Sequence, residues 1–364
     1  MEQRTGSVES VERMREFDTA FYRGKKVLIT GHTGFKGTWL CRMLLMAGAE
    51  VTGFSRGSLK SPDFFALSGA KENIRHITGD IRDLDALMKA FDAAKPEIVF
   101  HLAAQPIVRA GYSDPVGTYS TNVMGTVNVL ECLRLHDYTH SFVNVTTDKV
   151  YKNVERLKGY REEEELNGYD PYSNSKSCSE LVTSSYVNSF LSGRMAVSTA
   201  RAGNVIGGGD FAADRIIPDC VRAAVAGEVI ILRNPNSTRP YQHVLEPVYA
   251  YMMIAARQYE TPSLAGSYNV GPDDTDHITT RNLAELFVKH WGEGLSYTCP
   301  GSSGPHEAAL LSLDCTKLKN IFGWSPRWDA EKAVEMTVEW SKCWRDGGDI
   351  CTCMDRQIDV FLKS

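Results

Sequence analysis

Lys25-Lys26-Val27-Leu28-Ile29-Thr30-Gly31-His32-Thr33-Gly34-Phe35-Lys36-Gly37, followed by Trp39, Leu40, Met43, Leu44 and Leu45 at helical intervals, reads as strand, glycine turn and helix. Gly31 permits the tight turn, Gly34 lets the backbone approach a pyrophosphate, and Gly37 lets the helix lie close on the sheet. The helix N-terminus then presents unpaired amides and partial positive charge to the phosphates. A glycine triplet alone is equally well a structural turn. The flanking strand and helix, and the segments downstream, favour a dinucleotide site.

From Lys25 onward, strand-like and helix-like segments alternate, which predicts an α/β fold: a Rossmann-type doubly wound parallel sheet. Strands are expected at about 25–30, 50–54, 73–78, 97–102, 141–147 and 195–201, and helices at about 36–47, 83–94, 115–136 and 171–191. After Arg201 the alternation loosens into Gly203-Asn204-Val205-Ile206-Gly207-Gly208-Gly209-Asp210. The expected division is a flexible N-terminal extension over 1–22 and a dinucleotide-binding domain over 23–203, to which 242–270 returns. A smaller, mixed α/β C-terminal substrate lobe and tail is expected from 204–241 and 271–364, with a helix starting near Asp214.

Between Gly168 and Lys176 the chain reads Gly-Tyr-Asp-Pro-Tyr-Ser-Asn-Ser-Lys. Asp170 suits an N-cap and Pro171 the first helical position, so Tyr172 and Lys176, four residues apart, share one helix face. A phenol ionising near pH ~10 must drop by roughly three units to act as a base at neutral pH. A neighbouring ammonium and an oxidised nicotinamide are the expected source of that shift. Taken alone, the pair is also what a surface helix with a solvated lysine would show.

Three further segments fall where parallel strands open onto a ligand cleft. Gly79-Asp80-Ile81 offers Asp80 to an adenine amino group, or as a helix cap. His101-Leu102-Ala103-Ala104-Gln105 supplies small residues against which a cofactor can lie. Thr146-Thr147-Asp148-Lys149 ends the fifth strand just before the Tyr172 segment.

Composition sets bounds. The 364 residues, 43% hydrophobic and 23% charged, suffice for a large core, and a net charge of −5 argues against a general nucleic-acid binder. Nine cysteines, scattered except for Cys351 and Cys353, show no paired zinc spacing, so no metal is expected. No apolar stretch reaches membrane-spanning length and the first twenty residues lack a signal-peptide core, which together point to a cytoplasmic protein without a membrane partner.

The segments together resemble the extended short-chain dehydrogenase/reductase family, most closely its nucleotide-sugar 4,6-dehydratases of the CDP-glucose type. The resemblance rests on Thr30–Gly37, Gln105-Pro106, Asn122-Val123-Met124-Gly125-Thr126, Thr147-Asp148-Lys149, Tyr169–Lys176, Arg201–Asp210 and Arg239-Pro240-Tyr241-Gln242-His243-Val244, and spans residues 21–330. It implies CDP-glucose as substrate, an internal redox cycle and a homodimer paired through the helices at 115–136 and 171–191. In that cycle Tyr172 takes the C4 hydroxyl proton while hydride leaves C4, Lys176 holds phenolate and ribose, Thr147 hydrogen-bonds at C4, and Asp148 protonates the departing C6 hydroxyl. Relatives acting on dTDP-glucose carry glutamate as the C5 base where this chain has Lys149. A lysine base must be depressed from about 10.4 towards 7 or 8; the alternative is electrostatic stabilisation of the enolate.

The expected cofactor contacts are Gly31, Thr33, Gly34, Phe35, Lys36, Gly37, Arg56, Asp80, Ile81, Leu102, Ala103, Ala104, Gln105, Asn122, Tyr172 and Lys176. The second strand ends Gly53-Phe54-Ser55-Arg56 without the usual ribose-binding carboxylate; Arg56 could hold a 2′-phosphate, so NADP stays open beside the NAD that the resemblance implies. Asn204, Arg215 and Arg239 are the candidates for the substrate diphosphate. A 4-epimerase needs no acid and base at C5 and C6, and a non-catalytic nucleotide-binding regulator needs neither Tyr172 nor Lys176.

Overall fold

The computed structural model describes residues 17–57, 62–213, 215–273, 277–300 and 311–364. Its centre is a seven-stranded parallel sheet of β1 (Lys26–Thr30), β2 (Glu50–Ser55), β3 (Arg75–Thr78), β4 (Ile98–His101), β5 (Ser141–Val145), β6 (Ala196–Ala202) and β7 (Ser267–Val270). The spatial order is β7-β6-β5-β4-β1-β2-β3, every adjacent pair parallel. Chain direction across the sheet reverses between β1 and β4, where Thr30 lies opposite His101. This is the crevice at which doubly wound sheets hold ligands. The expected α/β Rossmann-type sheet is therefore present, with one strand more than the alternation marked. β7 escaped because it is four residues long and carries a buried asparagine, Asn269.

One face of the sheet is covered by α1 (Phe35–Met46), which buries Trp39, Leu40, Met43 and Leu44. Helices α2 (Leu84–Ala94), α3 (Gly125–Leu135) and α4 (Pro171–Tyr186) run along the other, where Leu87, Phe91, Val129, Leu133 and Phe142 form a second core. The helix expected over 115–136 widens into a π-turn at Ser120–Met124, and the one over 171–191 does so at Val187–Leu191.

Residues 204–241 leave the sheet. Asp214 lies outside the described residues; α5 (Ile216–Ala226) begins just beyond it, N-capped by Arg215. α6 (Leu245–Glu260) then returns to pack beside α1 and leads into β7; its buried residues lie on every side, because sheet and outer segments enclose it. With α7 (Thr280–Trp291) and α8 (Ala330–Arg345), α5 builds a separate core of Ile217, Val221, Leu283, Phe287 and Val334.

Two termini differ from the sequence reading. Residues 17–22, expected in a flexible extension, bury Phe17 and Tyr22, and the Tyr22 hydroxyl donates to the Met252 carbonyl at 2.7 Å. Residues 1–16 lie outside the described set. At the other end, α9 (Ile350–Leu362) buries Met354, Ile358 and Phe361 in the core of α1 and α6 rather than in the outer lobe. Arg327 pins it by donating to the Phe361 and Leu362 carbonyls at 3.1 and 3.0 Å. Among the described residues no helix is long and apolar enough to cross a membrane.

Candidate functional site

The glycine turn leaves β1 at Gly31, whose φ of +76° suits glycine, and a Cβ there would sit 2.6 Å from the Ala103 nitrogen. A Cβ on Gly37 would come within 2.3 Å of the Gly31 carbonyl oxygen, so α1 approaches the turn as closely as backbone allows. Gly34 is the N-cap of α1, exposed and without a capping side chain, and a Cβ on it meets only the Gly31 oxygen at 3.3 Å. The first amides of α1, beginning behind Phe35, thus lack side-chain caps and suit an anionic group. The turn's polar side chains are committed: Thr33 Oγ1 meets Ser55 Oγ at 3.0 Å, and Ser55 Oγ accepts from the Gly57 amide.

On the β4 side, the Leu102 amide donates to the Thr30 carbonyl at 3.0 Å and the Ala103 amide to Thr30 Oγ1 at 3.3 Å. Ala104 and Gln105 follow. Asn122, on the π-turn, accepts from the Gln105 amide at 2.8 Å and donates to the Gln105 carbonyl and to Ser175 Oγ. Its amide therefore ties the cofactor-side loop to α4 at Ser175, one residue before Lys176.

At the β2–β3 edge, both Asp80 oxygens are taken by the Arg82 guanidinium, with Nη2 at 2.6 Å from Oδ2. That pairing holds the carboxylate below its usual range, helped by Arg56, which stands exposed at the end of β2. The helix-cap alternative fails for Asp80, since Asp83 is the N-cap of α2. Ile81 is buried and its carbonyl accepts from Asn128 at 2.9 Å.

The chemistry-bearing residues converge above β5. Asp170 Oδ1 caps α4 by accepting from the Tyr172 and Ser173 amides at 3.0 and 3.1 Å, with Pro171 at the first turn. Tyr172 and Lys176 follow on one buried face. The Lys176 ammonium donates to the Val145 carbonyl at 3.0 Å, and burial brings its pKa down to about 8 against an opposing pull from Glu180. Just beyond β5, Thr147 Oγ1 donates to Asp148 Oδ1 at 2.8 Å, while Asp148 Oδ2 is buried with no partner among the described residues. Lys149 is half-buried on the same turn. Burial pushes the Tyr172 phenol up to about 12; a hydrogen bond with Thr147 and the charge of Arg215 work the other way. In the protein alone the phenol is therefore raised, and Lys176 is not among the groups that lower it.

Arg215 donates to Asp210 Oδ2 at 2.9 Å and lies close enough to act on both Tyr172 and Lys36. Lys36, an expected cofactor contact, has its pKa brought to about 8 by burial and by Arg215, with Asp148 opposing. Its charge is thus within electrostatic reach of both Arg215 and Asp148. Asn204 sits between β6 and the short strand Val205–Ile206, its carbonyl accepting from the Gln242 amide at 3.0 Å. Arg239 lies further out, on a two-residue strand antiparallel to Ile278–Thr279. Its neighbour Pro240 reaches Gly203, which also borders Asp148.

This geometry has known counterparts. The family model described as GDP-mannose 4,6 dehydratase matches residues 28–337. The chain belongs to this family. Within it, CDP-glucose 4,6-dehydratase of Salmonella typhimurium is 44% identical over 95% of this chain and 99% of its own length. A dTDP-glucose 4,6-dehydratase of Streptomyces antibioticus is 27% identical over 86% of this chain and 91% of its own. Among solved structures, Thermus thermophilus UDP-glucose 4-epimerase in complex with NAD superposes with a TM-score of 0.75 at 24% identity, covering 87% of this chain and 98% of that one. A Bacillus anthracis dTDP-glucose 4,6-dehydratase in complex with NAD gives 0.73 at 21%, covering 88% and 97%. Epimerase and dehydratase thus share the fold, and only site residues can separate the two activities.

Proposed function

We propose that this member of the GDP-mannose 4,6 dehydratase family is an NAD-dependent CDP-glucose 4,6-dehydratase, forming CDP-4-keto-6-deoxyglucose and water. The observation that carries the reading is the convergence of two chemical sets at one buried site: Tyr172 and Lys176 on α4, and Thr147, Asp148 and Lys149 on the turn after β5. Within the second set, Asp148 and Lys149 are what elimination needs and epimerisation does not. The near full-length likeness to the Salmonella enzyme supports CDP-glucose as the substrate.

NAD fits the cradle of Gly31, Gly34 and Gly37, where a bare backbone and the uncapped start of α1 leave room for a pyrophosphate beside Ala103 and Ala104. It is also the cofactor named for the solved neighbours. When bound, it supplies the reversible hydride acceptance that joins C4 oxidation to C6 reduction, so no outside reductant is consumed. Tyr172 accepts the C4 hydroxyl proton, with Thr147 sharing the hydrogen bond. Lys176 provides positive charge beside the phenolate. With a ketone at C4 the C5 proton becomes acidic, and Lys149 removes it. Asp148, through its unpartnered Oδ2, protonates the C6 hydroxyl as it leaves, so one C5 proton and one C6 hydroxyl depart as water. Arg215 and Asn204 hold the diphosphate from the 204–241 segment, joined by Arg239.

The working form is a cytoplasmic homodimer. Tyr112, Val116, Met124, Leu181 and Phe190 are large, apolar and exposed, and lie on α4 or on the helical segments flanking α3 and α4. Light scattering should give twice the chain mass at micromolar concentration.

The test is incubation of purified protein with NAD and a panel of nucleotide-glucoses, following the alkali-induced absorbance of a 4-keto-6-deoxy sugar. Signal with CDP-glucose supports the assignment. A C4-inverted hexose with no ketone would make the protein an epimerase, and signal confined to another nucleotide would reassign the substrate.

A further inference from the structure

Tyr172, Lys176 and Glu180 are spaced four residues apart and run down one face of α4. Glu180 faces Arg201 of β6 in a bidentate pair, Nε to Oε1 and Nη2 to Oε2 both at 2.9 Å, with side chains 3% and 2% exposed. A fully buried ion pair gains little net stability over an apolar replacement, because desolvation offsets the attraction. Its value must then lie in what it holds.

What it holds is both ends of the turn that carries the elimination residues. Immediately before that turn, Thr146 Oγ1 donates to Glu180 Oε1 at 2.5 Å. Immediately after it, the Tyr151 hydroxyl accepts from Arg201 Nη1 at 2.7 Å and donates to Asn269 Oδ1, also at 2.7 Å. Thr199 Oγ1 donates to Glu180 Oε2, and Arg201 Nη1 also reaches the Glu162 carbonyl. The pair is therefore tied to Thr146 and Tyr151, on either side of residues 147–150, as well as to β6 and the Glu162 carbonyl.

We propose that Glu180 and Arg201 form a positioning clamp that keeps Thr147-Asp148-Lys149 in register with Tyr172 and Lys176, so that elimination at C5 and C6 follows oxidation at C4 without stranding the intermediate ketone. The proposal rests on the dehydratase reading above. It assigns no contact with substrate to either residue; both act through the turn. When the clamp is cut, Tyr172 and Lys176 keep their anchors at Asp170 and the Val145 carbonyl, whereas the turn loses one side-chain tether at each end and is left with the Thr146 amide on the Ala200 carbonyl and Ser177 Oγ on the Val150 carbonyl.

The experiment compares Glu180→Gln with the milder single-tether variants Thr146→Val and Tyr151→Phe, each incubated with NAD and CDP-glucose. Sugars are trapped with borodeuteride and weighed by mass spectrometry, giving the ratio of C6-oxygenated ketone to 6-deoxy ketone; solvent deuterium at C5 is read in parallel. The ratio should rise about ten- to a hundred-fold in Glu180→Gln and several-fold in each tether variant, as expected for an ångström-scale displacement of an acid or base. Deuterium incorporation at C5 should fall alongside. If Glu180→Gln does not fold, the two tether variants carry the test. An unchanged ratio in folded variants, or equal loss of both half-reactions, overturns the clamp. Absence of any keto sugar from the wild type would instead overturn the functional reading, and the clamp with it.

Discussion

Glu246, on the first turn of α6, should make the protein lose stability as pH rises through neutrality. Its Oε1 accepts from the Arg327 and Trp328 amides, both at 2.8 Å, while Oε2 is buried without a partner among the described residues. Burial raises the carboxyl from 4.5 to about 7, against the pull of those two amides and of the Arg327 charge. Between those values the folded protein keeps a proton that the unfolded chain releases. The stabilising contribution is therefore complete below about pH 4.5, declines as pH rises, and is gone above about pH 7. At about 1.4 kcal/mol per tenfold the full displacement is worth about 3 kcal/mol, and the part between pH 5.5 and 8 about 2 kcal/mol. Three buried histidines oppose this. Loss of hydration drives His32, His101 and His243 to about 3, so each destabilises the fold as pH falls below about 6.5. Comparing Glu246→Gln with wild type at each pH cancels the histidines. Glutamine keeps the Oε1 acceptor, and its amide adds an offset that does not change with pH. In urea unfolding, the variant should gain about 2 kcal/mol on wild type between pH 5.5 and 8. Parallel pH profiles for the two proteins would refute a neutral, buried Glu246.

Tyr172→Phe should abolish turnover by at least about a thousandfold while cofactor titration stays near wild type, since the phosphate cradle lies at Gly31–Gly37; near-normal turnover would remove Tyr172 from proton transfer. Gly34→Val should fold and weaken cofactor binding by roughly tenfold or more, because Gly34 is exposed and its added Cβ meets only one backbone oxygen, whereas Gly37→Val should fail in thermal melts, its Cβ lying 2.3 Å from backbone; the reverse order would reject the phosphate cradle. Asp148→Asn and Lys149→Met should still oxidise C4, leaving a ketone that retains its C6 oxygen, with solvent exchange at C5 falling most in the lysine variant; full dehydration in either would clear that residue of its step.

What the sequence determined by itself is local. The strand-turn-helix at Lys25–Gly37 gives β1 and α1, and the Asp170-Pro171 start gives α4, because caps, glycine turns and apolar periodicity act within a few residues. The parallel sheet class followed from the alternation, whereas its seventh strand and the reversal between β1 and β4 came from the tertiary structure. What only the tertiary structure decided involves partners far apart in sequence. The committal of Asn122 to Gln105 and Ser175, the Glu180–Arg201 pair and its hold on Thr146 and Tyr151, and the approach of Lys36 to Asp148 leave no periodic trace in the chain. Glu180 offered one faint signal, its four-residue spacing from Lys176; its partner on β6 offered none. The phenol at Tyr172 shows the same division: its spacing from Lys176 was legible, but the sign of its pKa shift was set by burial under elements brought together only on folding.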